Sequence, residues 1–155
     1  MPTNDPKPRV RVTKKFSFDM AHALYGYDGD CKNIHGHTYY LSITLIGTPI
    51  ADTDNVKLGM VIDFSDLKQA VNTAVIDQFD HALVVYQHAP YAHDPLLREH
   101  FDRFIVTPFQ PTCENLLLHF VALLKDQFLP RCQLVAMRLE ETPNSYAEWL
   151  LTDNA

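Results

Sequence analysis

Two stretches of this chain alternate apolar and polar residues with a period of two, and both runs meet histidine at one end. In "RVRVTKKFSFDMAHAL", Val10 and Val12, then Phe16, Phe18 and Met20, share a parity that closes on His22. In "HGHTYYLSITLIG", His35, His37, Tyr39, Leu41, Ile43 and Leu45 share a parity. A period of two puts alternate side chains on one face of a strand. Each predicted strand therefore has an apolar face tipped with imidazole. In an antiparallel pair the end of the first strand lies beside the start of the second. All three histidines then reach the same end of the same face.

Downstream the period changes. "DFSDLKQAVNTAVIDQF" is predicted helical, with Asp63 as N-cap, Asp66 in the first turn, and Leu67, Val71 and Val75 as its stripe. A second helix is predicted through "PTCENLLLHFVALLKDQFLP". Pro111 and Thr112 start it, Leu117, Val121, Leu124 and Phe128 form its apolar face, and Pro130 ends it. Residues 85–110, with Pro90, Pro95 and Pro108, read as a loop or lid holding one short extended piece, "RFIVTPF". Two strands close the chain around the turn "PNS". In "QLVAMRLEET" the residues Val135, Met137 and Leu139 alternate with polar or small ones and Glu141 carries their parity; "YAEWLL" returns. Strand, strand, helix, helix, strand, strand predicts an α+β domain with helices on one face of an antiparallel sheet.

The 155 residues suffice for one domain, expected over 10–152 behind a disordered lead-in at 1–9, "MPTNDPKPR", which is polar and unlike a secretory leader. A net charge of -6 without a cluster of Lys and Arg argues against nucleic acid as a partner. No apolar run approaches the length that spans a bilayer, so no membrane partner is expected. Cys31, Cys113 and Cys132 are widely spaced and odd in number, neither a disulfide framework nor a paired metal motif, which fits a cytoplasmic protein.

Chemistry concentrates at the histidine tip. A His-x-His pair in extended chain projects both rings to one side, and Gly36 between them adds no bulk. A lone pair of this kind is commonly a surface feature. The third imidazole, His22, tips the balance toward a metal, with Zn2+ the default ion for three imidazoles and an open fourth position. Cys31, four residues before His35, has three open roles: a fourth ligand, a thiol activated by a nearby cation, or a small residue in a turn-rich loop. Asp80 and His81 follow the first helix, where a carboxylate can orient an imidazole or simply end the helix favourably. Adjacent residues in extended chain, however, point opposite ways. Glu141 lies on the buried parity of its strand, so it either finds a donor-bearing ligand such as an aminopyrimidine or sits at a frayed, solvated end.

His22 together with "CKNIHGH", "GMVIDFSDLK", "FDHALV", "PTCEN" and "EET" resembles the 6-pyruvoyl-tetrahydropterin synthase / 6-carboxytetrahydropterin synthase family over residues 16–149. The resemblance implies a tunnelling fold, a four-stranded antiparallel sheet with two helices, in rings that pair into homohexamers with active sites between subunits. It makes His22, His35 and His37 the zinc ligands and Cys31 the proton-transferring thiol. Asp80 and His81 become the accompanying dyad, supplied by a neighbouring subunit. Glu141 would anchor the pterin ring with Thr112 nearby. The implied substrate is 7,8-dihydroneopterin triphosphate. One branch of the family makes 6-carboxy-5,6,7,8-tetrahydropterin with release of acetaldehyde and triphosphate, on the route to queuosine; the other eliminates triphosphate to give 6-pyruvoyl-tetrahydropterin. Two features depart from the pattern: Val84 and Val85 where Leu-Asn is common, and a connection over 86–110 longer than usual.

Overall fold

The computed structural model describes residues 7–155, so residues 1–6 of the expected lead-in lie outside the described residues. Strands β1 (Val10–His22) and β2 (His35–Gly47) pair antiparallel along their whole length, from Val10 opposite Gly47 to His22 opposite His35. Helix α1 (Phe64–Val71) follows and widens into a π segment, Asn72–Ile76, before a last turn, α2 (Asp77–Phe79). Asp63 caps α1, its side chain accepting the Ser65 N–H. Leu67, Val71, Val75 and Phe79 recur every four residues and are all buried. An α-helix turns once in about 3.6 residues, so a four-residue stripe drifts around it. The wider π segment takes up that drift and keeps the stripe on the sheet.

The chain continues through β3 (Ala82–Tyr86), α3 (Pro95–His100), β4 (Phe104–Thr107), α4 (Cys113–Leu124), β5 (Gln133–Thr142) and β6 (Ser145–Leu150). The sheet order is β4-β3-β1-β2-β5-β6. The antiparallel strands β1, β2, β5 and β6 are contiguous, as expected, with α1, α2 and α4 covering one face. The sheet is nonetheless six-stranded and mixed: β3 runs parallel to β1 at Met20–His22, and β4 runs parallel to β3. "ALVVY" carries no alternation because a strand buried on both faces needs none, and a short apolar run cannot be told from a buried turn by periodicity. The extended piece in "RFIVTPF" is β4. Residues 87–103 make the crossover that a parallel pair requires, with α3 inside it.

The core lies between the sheet and the helices. Phe18, Met20, Tyr39, Leu41, Ile43, Met137 and Leu139 pack against the α1–α2 stripe and against Leu116, Phe120 and Leu124 of α4. Complete burial of each such side chain contributes about 2 kcal/mol. In β5 the register shifts opposite Thr44 and Leu45, so Leu134 takes the inward place expected of Val135. Helix α4 stops at Leu124, ahead of Pro130, yet Phe128 in the following turns is still buried.

Phe120 is fully buried, with its ring edge-on to Phe79 at 5.0 Å and to Phe18 at 6.1 Å. Phe120→Ala is expected to cost about 3–5 kcal/mol, read from the shift in urea midpoint at unchanged slope.

Candidate active site

The register of β1 on β2 sets His22 directly opposite His35 and Met20 opposite His37, so all three imidazoles stand on the helix-covered face. Each offers a ring nitrogen, and these atoms lie within 4.8 Å of one another. The His22 and His35 rings are 4.5 Å apart at their centroids. His22 Nδ1 donates to the Pro111 carbonyl at 2.7 Å and His35 Nδ1 to the Asn33 carbonyl at 2.8 Å. Those bonds place the lone pair of both rings on Nε2, and a carbonyl on the far ring nitrogen is the support that metal-binding imidazoles typically receive. Burial lowers the pKa of His22 and of His37, which keeps both rings neutral and able to donate a lone pair.

His37 supplies a separate test of fit. Its Nε2 is buried and has no hydrogen-bond partner. Glu141 Oε1, at 3.7 Å, is too far to serve. A buried polar atom without a partner is costly, and a cation held jointly with His22 and His35 satisfies it. The donor set of three imidazoles fits zinc.

Gly36, between the two β2 histidines, has a close neighbour across the pair. A Cβ built there would stand 3.2 Å from the Met20 carbonyl oxygen.

A cavity of about 410 Å³ opens beside the imidazoles, lined also by Tyr27, Cys31, Thr112, Cys113 and Glu141. Cys31 belongs to a short turn, Asp30–Lys32, and is half-exposed. Glu141 stands at a register shift in β5: Glu140 pairs with Tyr146 and Thr142 with Ser145, leaving Glu141 as the extra residue. Such a bulge re-aims a side chain. Its Oε1 accepts the Tyr39 hydroxyl at 3.3 Å and lies 3.5 Å from His22 Nε2. Glu141 thus sits within β5 with its side chain a quarter exposed. Burial, with Glu141 close by, pushes the Tyr39 phenol up, so it stays a donor. Thr112 caps α4 by accepting the Asn115 N–H. Cys113 was not anticipated in the site; burial pushes its thiol up to about 11 and it donates to the Leu139 carbonyl.

Asp80 and His81 are not in this cavity. They sit on the other face of the hairpin, where Asp19 and Thr38 point and hydrogen-bond at 2.6 Å. Asp80 ends α2 in extended conformation and His81 follows with φ 61°, left-handed backbone that a non-glycine residue seldom adopts. That bend removes the obstacle of adjacency: His81 Nδ1 lies 3.0 Å from Asp80 Oδ1. Oδ1 also accepts the Asp19 N–H at 2.9 Å. Burial works to raise the Asp80 pKa, but the Asp19 N–H, His81 and Arg103 outweigh it and hold the carboxyl low. The His81 imidazole is open to solvent, 74% exposed. A second cavity, of about 540 Å³, joins His81 to Ile34, Leu97, His100, Phe101 and Arg103, so part of its wall comes from the long 86–110 connection. Lys14, eight residues up β1 from His22, lies over the rings of Phe16 and Phe64, away from the imidazoles.

This architecture is shared by known structures. An uncharacterized protein from Wolinella succinogenes superposes with TM-score 0.75 at 19% identity, over 93% of this chain and 99% of that one, a likeness of fold. The Caenorhabditis elegans 6-pyruvoyl tetrahydropterin synthase superposes with TM-score 0.66 at 25% identity, over 93% and 96%. Residues 11–150 match the 6-pyruvoyl tetrahydropterin synthase family, and the chain belongs to it. Among curated relatives, 6-carboxy-5,6,7,8-tetrahydropterin synthase of Haemophilus influenzae is 37% identical over 141 residues, 90% of this chain and 97% of its own. The Rickettsia bellii protein of the same name is 30% identical over 145 residues, covering 90% and 99%.

Zinc titrated into metal-free protein is expected to bind at one site per chain, and His35→Ala to abolish that uptake with the circular dichroism of the fold retained. Because burial lowers His22 and His37, uptake is expected to persist below the pH at which ordinary imidazoles protonate. Calorimetry across pH 5–8 checks both.

Proposed function

We propose that this chain is a zinc-dependent lyase that converts 7,8-dihydroneopterin triphosphate to 6-carboxy-5,6,7,8-tetrahydropterin, releasing acetaldehyde and triphosphate in the cytoplasm on the route to queuosine. The reading rests on family membership and on curated relatives of nearly equal length that carry this name. The observation that carries it is the cavity in which His22, His35 and His37 share a wall with Cys31 and Glu141.

His22, His35 and His37 would hold the ion. The chemistry such an ion would supply is polarisation of hydroxyl and carbonyl oxygens of the substrate side chain, which would make the adjacent C–H more acidic. Glu141, offering two carboxylate oxygens at the cavity wall, would accept the paired N–H donors of the aminopyrimidine ring. Thr112 lines the same wall at the start of α4. Cys31 would carry protons to and from the substrate side chain, and Asp80 would orient His81 as its partner acid or base. His81 lies on the opposite face from Cys31 of its own chain. The proposed homohexamer therefore brings His81 of one subunit to the Cys31 cavity of the next.

The family's own description favours a second product, 6-pyruvoyl-tetrahydropterin by elimination of triphosphate. Acetaldehyde distinguishes the two. Zinc-loaded protein given dihydroneopterin triphosphate is expected to release one acetaldehyde per triphosphate; triphosphate without acetaldehyde assigns the pyruvoyl product. Cys31→Ala is expected to slow turnover at least about 100-fold with zinc content unchanged. Loss of zinc in that variant would instead make Cys31 a fourth ligand.

A further inference from the structure

The loop that carries Cys31, residues 23–34, is held within itself by short turns. Its Asp30–Lys32 turn buries no residue; Gly29 gives it no side-chain cap at the start, and at its end the Asn33 N–H and Nδ2 both donate to the Asp30 carbonyl at 3.0 Å. The Leu24 N–H donates to the Cys31 carbonyl at 2.9 Å, which closes the loop and ties the position of Cys31 to Leu24 and its neighbour Tyr25. Tyr25 is where the rest of the protein takes hold. The Gln110 side-chain amide donates through Nε2 to the Tyr25 carbonyl at 2.7 Å and accepts the Tyr25 N–H through Oε1 at 3.2 Å. A primary amide carries a donor and an acceptor side by side, and in this orientation Gln110 uses both on one residue.

The other end of the clamp is anchored. The Gln110 carbonyl accepts from the Thr112 N–H at 2.8 Å and from Asn115 Nδ2 at 3.0 Å, at the start of α4. The next carbonyl, that of Pro111, orients His22. Residues 110–112 thus reach the imidazole cluster, the cavity wall and the thiol loop together. From the long connection, Tyr91 adds its ring edge-on to Tyr25 at 6.3 Å. We propose that Gln110 is a positioning residue for Cys31: its amide clamps the Tyr25 backbone and fixes the thiol loop relative to the imidazoles. This rests on the proton-transferring role given to Cys31 above.

The test separates position from chemistry. Cys113 and Cys132 are buried, so iodoacetamide with peptide mapping reads Cys31 in zinc-loaded protein. Gln110→Ala, which loses both bonds, is expected to change the Cys31 alkylation rate about tenfold and to lower kcat about tenfold. KM is expected to stay within twofold, and zinc content to stay unchanged. Gln110→Glu keeps the accepting arm only and is expected to fall between, which serves also if the alanine variant does not fold. Gln127→Ala, which removes a comparable side-chain bond to the Leu123 carbonyl far from the loop, is expected to change neither quantity. Alkylation and kcat of the Gln110 variants within twofold of the parent would overturn the proposal, as would a rise in KM or a loss of zinc with alkylation unchanged. Altered alkylation in a parent protein without turnover would leave the clamp standing and overturn the lyase reading instead.

Discussion

The pairing of β1 on β2 is the constraint on which the site depends. Because side chains alternate, a slip of one residue in that register would send every inward residue of one strand to the other face. Phe18 opposite Tyr39 and Phe16 opposite Leu41 resist such a slip with buried apolar surface. The same register, carried to the end of the hairpin, sets His22 beside His35. The imidazole cluster is thus the continuation of the hydrophobic face, and the energy that orders it is supplied mostly by residues that take no part in chemistry.

Around that tip, three other parts of the chain converge from far away in sequence. Pro111 orients His22 through its carbonyl, a β5 bulge turns Glu141 toward the cavity, and a loop clamped at Tyr25 presents Cys31. Each uses a local irregularity: a cap, a bulge, a turn. The opposite face of the hairpin carries a different arrangement, in which left-handed backbone at His81 lets two neighbouring residues hydrogen-bond. The two opposite faces of one strand pair therefore hold separate sets of titratable groups.

Much of this was legible in the sequence, for identifiable reasons. Period-two runs ending in His22 and beginning at His35 place the imidazoles because strand parity and hairpin pairing are both short-range rules. Asp63 as a cap and Leu67, Val71 and Val75 as a stripe follow from equally local chemistry. What escaped depends on events that parity does not record. The β5 bulge exchanged Val135 for Leu134, and β3, apolar on both faces, has no periodic signature. Cys113 reaches the cavity, Tyr39 its contact with Glu141 and Asp19 its contact with Asp80 only through packing between elements. For the Asp80–His81 pair, residue identity was visible, but the positive φ that joins them was not.

Gly36 connects these observations. The space between the two β2 histidines is shut by a carbonyl from the neighbouring strand, with no room at ordinary contact distance for even a methyl group. The hairpin thus behaves as a gauge: the separation of its strands is set where the ligands stand, by an atom that is missing from the chain. Widening it there would spread His22 from His35 and His37 together, so the fit of an ion to this site is a property of strand spacing as much as of the residues that touch it.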